Sequence, residues 1–179
     1  MEKRFDGSEV EGLIKALTDR IAEAFDPAAL SGGLNVVGIR TRGEVLAERL
    51  AKALSARGFG RIGRGVLDIT LYRDDLSEVG PRPLVRPTRI DIPLDGVPLV
   101  LVDDVLFTGR SVRAALDQLA DYGRPSAVRL AVLVDRGGRE LPIQGDFVAL
   151  KLEGVPRTHR VKVRLAETDG RDEIVVEAR

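Results

Sequence analysis

Val97-Pro98-Leu99-Val100-Leu101-Val102 runs without a polar break into a pair of carboxylates, Asp103 and Asp104. A stretch with no face to offer to water reads as a strand buried on both sides, the pattern of a parallel sheet covered by helices. Val105, Leu106 and Phe107 follow, then the small-residue turn Thr108-Gly109-Arg110-Ser111. Beyond it, Val112, Ala115, Leu116 and Leu119 repeat at i, i+3, i+4 and i+7, the spacing of a helix. The unpaired amides at that helix's start, with the hydroxyls of Thr108 and Ser111, would form a phosphate cradle. Carboxylates beside such a cradle suit a sugar phosphate, with acids for the ribose hydroxyls and amides for the phosphate. A single Asp at a strand-to-helix loop is often only a helix cap. An adjacent pair framed in this way points to a ligand site.

Strand-helix alternation extends along the chain. Ser8-Glu9-Val10-Glu11 reads as a capping box, and Leu13, Ile14, Leu17, Ile21, Ala24 and Phe25 keep helical spacing as far as Pro27. Leu34 to Ile39 is an apolar strand that ends at the turn Arg40-Thr41-Arg42-Gly43, and a second helix carries Leu46, Leu50, Ala53 and Leu54. Val66 to Leu71 is the next strand, followed by the loop Tyr72-Arg73-Asp74-Asp75. Ser77 to Thr88 holds Gly80, Pro81, Pro83 and Pro87, so it is neither helix nor central strand. Val128 to Val134 is a strand that opens into Asp135-Arg136-Gly137-Gly138-Arg139. Short strands at Val161–Leu165 and Glu173–Glu177 flank a hairpin turn at Asp169-Gly170.

This order predicts an α/β fold, a doubly wound, mainly parallel sheet with flanking helices and a small C-terminal β hairpin. Ligands in such sheets sit beyond the carboxyl ends of the strands. Four polar loops should therefore converge there: Arg40–Gly43, Tyr72–Asp75, Asp103–Ser111 and Asp135–Arg139. Gly58-Phe59-Gly60-Arg61-Ile62-Gly63 matches a dinucleotide-binding pattern letter for letter. It follows a helix and precedes a strand, the reverse of the order that aims amides at a pyrophosphate, so it reads as a plain connection.

The 179 residues, 44% hydrophobic, suit one domain spanning 1–179 with a sizeable core. Basic and acidic side chains balance at 28 each, which offers no global field for nucleic acid. Cysteine is absent, so disulfide and thiol chemistry are excluded, in keeping with a cytoplasmic location. Met1 to Asp6 lacks the apolar stretch of a signal peptide, and no segment approaches a membrane span. His159 is the lone histidine; a usual zinc site needs more, and it reads as a solvated loop residue. The acids of Asp169 to Asp172 read as a solvated turn.

The stretch from Asp103 to Ser111 resembles the 5-phosphoribosyl-1-pyrophosphate (PRPP) signature of type I phosphoribosyltransferases. Val37-Gly38-Ile39-Arg40-Thr41-Arg42-Gly43, Leu67 to Leu76, and Gly123 to Ile143 extend the resemblance to the PyrR family, in the same order along the chain. That family implies a magnesium-dependent reaction in which uracil and PRPP give UMP and pyrophosphate. Asp103 and Asp104 would hold the ribose hydroxyls directly or through Mg²⁺, a hard cation suited to oxygen ligands. Thr108, Gly109, Arg110 and Ser111 would grip the 5-phosphate through backbone and hydroxyls, with Val105, Leu106 and Phe107 as further substrate-binding positions, and Arg40, Thr41 and Arg42 would receive pyrophosphate. Arg73, on a mobile cover, would reach the pyrophosphate and exclude water. Val134, Asp135 and Arg136 would read the uracil edge. The resemblance also implies a homodimer or larger homo-oligomer, binding of UMP and UTP, and pyrimidine-operon mRNA as a partner.

At the RNA-facing positions the chain departs from that pattern. Gly138 stands where RNA-binding members usually have His, Gln144 replaces a basic residue, and Ala149 to Thr158 diverges with an insertion. Asp19 and Glu23 stand where members tend to be basic. Each change removes charge or hydrogen bonding from a surface that meets phosphates and bases. Arg20, Arg139, Lys151, Arg157 and Arg160 remain as a candidate patch. Phe107 for Tyr and Ser111 for Thr are milder departures. Two other readings stand beside the enzyme: a nucleotide-sensing RNA-binding attenuation regulator with weak or no catalysis, and a transferase for a purine base.

Overall fold

The computed structural model describes residues 3–72 and 87–178. Its elements in chain order are β1 (Lys3–Phe5), α1 (Gly7–Ala24), β2 (Leu34–Ile39), α2 (Arg42–Ser55), β3 (Ile62–Leu67), β4 (Leu99–Leu106), α3 (Arg110–Leu119), β5 (Val128–Asp135), β6 (Phe147–Lys151), β7 (His159–Arg164), α4 (Ala166–Asp169) and β8 (Glu173–Ala178). Strands β3-β2-β4-β5-β6 form a five-stranded parallel sheet in that order. Helices cover it on both faces, as expected of a doubly wound sheet. Gly58 to Gly63 does connect α2 to β3, as the order of elements requires.

Side-chain alternation divides the core in two. Val36, Val100, Val102, Ala131 and Leu133 point to one face and pack with Leu17 and Ile21 of α1 and Leu46 and Leu50 of α2. Val37, Leu99, Leu101, Leu130 and Val132 point to the other and meet Val112, Ala115 and Leu119 of α3. Strands buried on both faces explain the unbroken apolar runs in the sequence.

Several local expectations are corrected. The capping box of α1 is Asp6 with Glu9, not Ser8 with Glu11. The Asp6 carboxylate accepts from the Ser8 and Glu9 amides at 2.9 and 3.0 Å, and Glu9 accepts from the Asp6 amide at 2.8 Å. Strand β3 starts and stops earlier than Val66 to Leu71, because Asp68 takes the Thr70 amide at 2.9 Å and turns the chain. Strand β4 continues through the acidic pair to Leu106, since Asp103, Val105 and Leu106 still pair with β5.

The small sheet has three strands, not two. β1 pairs with β8, and β8 with β7, all antiparallel. The β7-β8 link is the helical turn α4, not a two-residue turn at Asp169-Gly170. Nor are its acids solvated. Arg49 of α2 binds Glu167 at 2.9 and 2.5 Å and Asp172 at 2.6 and 2.8 Å, fastening the small sheet to the main one. Hydrogen bonds from Arg49 hold both carboxyls below their usual range.

Two outcomes follow from this packing. Leu50 is fully buried between α2 and the sheet, so Leu50→Ala should cost about 3 kcal/mol and lower the melting temperature by roughly 6–12 °C. Arg49→Gln should cost about 1 kcal/mol at neutral pH, read by thermal unfolding. Because folding depresses the partner acids, that stabilisation is complete above the unfolded carboxylate value of about 4 and is lost as pH falls through the folded values. The gap between wild type and Arg49→Gln should therefore close as pH is lowered through and below the ordinary carboxylate range.

Candidate functional site

At the carboxyl end of the sheet, β2 and β4 are neighbours, yet their following helices leave on opposite faces. This switch point opens a crevice between them. Two glycines let the backbone close up on one side of it. A Cβ on Gly43 would lie 2.5 Å from the Val102 carbonyl oxygen, and one on Gly38 would strike the Gly43 carbonyl. The turn at residues 40–43 is thereby pressed against the strand that carries Asp103. The Arg40–Thr41 peptide bond is cis.

Both helices at the crevice begin without a side-chain cap. Thr41 precedes α2 and makes no capping hydrogen bond. Gly109 precedes α3 at φ +93°, a left-handed conformation that glycine adopts without strain, and it has no side chain to cap with. The Thr108 hydroxyl accepts from the Arg110 amide only at 3.4 Å, while its carbonyl takes the Glu140 and Leu141 amides at 3.0 and 3.2 Å. Two helix N-termini thus present amides to the same crevice, each a place for an anion.

Between them lie the acids. Asp103 is buried and Asp104 half-buried. The Asp104 amide donates to Asp103 Oδ1 at 2.9 Å, and the Val105 amide to Asp104 Oδ1 at 3.0 Å. Burial pushes the Asp103 carboxyl well above the usual range, and the charge of Asp104 beside it adds to the rise. Burial also raises Asp104, although Asp103's hydrogen bond and the Arg42 cation oppose it. A buried pair of this kind gains from any hydroxyl donor or cation that arrives.

The other expected residues divide into two groups. Ser111 stands in the first turn of α3. Leu106 is buried in the core, so only its backbone faces the crevice; its carbonyl accepts from the Arg136 amide at 3.1 Å. Arg110 pairs with Glu140 at 3.0 Å. Arg40 turns aside, its Nη2 donating to the Pro87 carbonyl at 3.1 Å. Arg42 is held by Asp169 through Nε at 3.1 Å and Nη2 at 2.7 Å. The sequence reading placed Asp169 in a solvated turn and gave it no role at the site, since an acidic turn carries no signal of a distant partner. Arg73 and residues 73–75 of the expected cover lie outside the described residues.

At the end of β5 the loop is braced. Asp135 accepts from the Gly137 amide at 2.9 Å and from Arg139 at 2.5 Å, and Arg139 also donates to the Phe107 and Ile143 carbonyls, both at 2.8 Å. Arg136 is buried, lies 4.1 Å from the Phe107 ring centroid, and donates to the His159 and Pro156 carbonyls at 2.9 and 3.1 Å. Its guanidinium is thus committed to tying the β5 loop, which forms a roof here, to the segment that enters β7. His159 is accordingly the partly buried first residue of β7, not a solvated loop residue. Beneath this roof a cavity of about 700 Å³ is lined by Asp135, Gly137, Gln144, Lys151, Leu152 and Val155. That is ample room for a small ring.

The phosphoribosyl transferase domain family matches residues 10–162. The bifunctional protein PyrR of Chloroflexus aurantiacus is 56% identical over 162 residues, covering 88% of this chain and 86% of the relative. That of Desulfosudis oleivorans is 46% identical over 177 residues, covering 98% and 97%. Among solved structures, the hypoxanthine phosphoribosyltransferase of Trypanosoma cruzi shares the fold with a TM-score of 0.66 at 20% identity, over 97% of this chain and 94% of that one. The chain therefore belongs to the phosphoribosyl transferase domain family and, within it, to the bifunctional PyrR proteins.

Proposed function

We propose that the whole chain acts as one uracil phosphoribosyltransferase domain, converting uracil and PRPP to UMP and pyrophosphate. The observation that carries this reading is the pair of uncapped helix N-termini flanking a buried acidic pair at the switch point. A substrate with a phosphate at one end and a pyrophosphate at the other needs two anion cradles with hydroxyl acceptors between them. The amides of residues 108–111 would take the 5-phosphate, residues 40–42 the pyrophosphate, and Asp103 and Asp104 the ribose hydroxyls. The braced 134–137 backbone would present hydrogen-bonding groups to the uracil edge above the cavity.

The acidic pair also fits Mg²⁺. Its donors are hard oxygens, and burial disfavours their ionised forms even with the Arg42 cation acting on Asp104. Among the described residues no three metal-binding side chains come together, which suits a cation shared with substrate oxygens rather than one caged by protein. When bound, Mg²⁺ would neutralise charge on the pyrophosphate. No side chain need act as a nucleophile. As the bond from ribose C1 to the pyrophosphate oxygen breaks, uracil N1 bonds to C1, and its proton passes to the departing pyrophosphate or to solvent. The protein orients the partners and stabilises the departing charge.

The RNA-facing surface gives weaker support to a purely regulatory role. Three cations of the candidate patch are already paired: Arg139 with Asp135, Arg157 with Glu140 at 3.2 Å, and Arg160 with Glu177 at 2.8 Å. A Cβ at Gly138 (φ +77°) would lie 2.5 Å from the Phe107 ring, so that ring fills the space a histidine would need. Regulation through pyrimidine-operon mRNA, response to UMP and UTP, a homo-oligomeric state and a cytoplasmic location belong to this proposal through the PyrR family. No helix among the described residues is long and apolar enough to cross a membrane.

The test is pyrophosphate release from PRPP and Mg²⁺ with uracil, cytosine, hypoxanthine or guanine in turn. Uracil-specific turnover that Asp104→Asn lowers by about 10²–10³-fold is the expected result. Purine turnover would overturn the base assignment. No turnover with any base, alongside tight UMP binding, would shift the reading to a nucleotide-sensing regulator.

A further inference from the structure

The turn α4 has no part in the reaction as derived, yet its last residue, Asp169, is fixed from two directions. Asp169 Oδ2 accepts from the Leu165 amide at 3.0 Å and the Thr168 hydroxyl at 2.8 Å. The same carboxylate receives Nε and Nη2 of Arg42 at 3.1 and 2.7 Å. A carboxylate locked by its own turn cannot follow a moving guanidinium, so it is Arg42 that is held. Bidentate pairing fixes the direction of a guanidinium as well as its place.

The turn is itself anchored to the same helix. Arg49, two turns along α2, binds Glu167 and Asp172, and Asp172 also accepts from the Ala166 amide at 2.7 Å. Arg42 opens α2 and sits between Thr41 and Gly43, whose backbone lies against Val102. Arg42 donates to Asp169 through Nε and Nη2, and its Nη1 donates no hydrogen bond among the described residues.

We propose that Asp169 is a positioning residue for the pyrophosphate end of the site: from α4 it holds Arg42 bidentately and so sets the turn at residues 40–43 for the pyrophosphate of PRPP. The proposal rests on the reading of that turn as the pyrophosphate receiver. It gives the terminal antiparallel sheet a task in substrate binding that the catalytic motifs do not reveal.

Steady-state rates with varied PRPP, together with calorimetric binding of pyrophosphate, test it. Asp169→Asn should raise KM for PRPP and weaken pyrophosphate binding by about tenfold, with kcat changed less than about threefold. Asp169→Glu should recover much of the loss. Glu167→Gln loosens α4 without touching Arg42 and should leave both constants near wild type. Arg42→Lys, which keeps the charge but not the fork, should reproduce the loss, and the double variant Arg42→Lys/Asp169→Asn should lose little more. If Asp169→Asn does not fold, the Arg42→Lys and Asp169→Glu results decide: wild-type constants for Arg42→Lys overturn the proposal. So do unchanged constants in a folded Asp169→Asn, or an equal loss in Glu167→Gln. In those cases wild-type turnover would still support the transferase. A wild-type chain that neither binds pyrophosphate nor turns over any base overturns both.

Discussion

The departure of α2 and α3 from neighbouring strands to opposite faces of the sheet is the constraint from which the site follows. Helices on one face would have closed over the ends of β2 and β4. Sent to opposite faces, they leave a crevice and direct two sets of unpaired amides toward it. The glycines at 38 and 43 narrow the crevice by letting backbone meet backbone. Asp103 and Asp104 then occupy the floor, where water is scarce and a substrate's hydroxyls would be welcome.

Fixity at this site comes largely from arginines that never need to touch a substrate. Arg139 ties the β5 loop to β4, Arg136 ties it to the segment entering β7, and Arg49 ties α2 to α4. Each bonds to carbonyls or to carboxylates, so the loops around the crevice are braced rather than left to solvent. Of these, only Arg139 belongs to the candidate RNA patch, and Asp135 pairs with it.

The sheet and the acidic crevice were legible because their signals are local: unbroken apolar runs, helical spacing, and polar residues where each strand ends. Strand limits were less so. β4 keeps its ladder with β5 past Asp103, and nothing in a polar side chain announces that its backbone is still paired. The cap of α1 was misplaced by two residues, since Asp6 and Ser8 are both apt caps and only the fold shows which meets the amides. The link between Arg42 and Asp169 spans 127 positions. A turn of acids looks alike in sequence whether water or guanidinium surrounds it, so that contact needed three dimensions.

A crystal structure of the chain with PRPP, Mg²⁺ and an unreactive uracil analogue would test the central claim most directly. The account predicts the 5-phosphate on the amides of residues 108–111, the pyrophosphate on residues 40–42, and the ribose hydroxyls at Asp103 and Asp104. A phosphate seated away from both helix N-termini, or a ribose turned from the acidic pair, would contradict it.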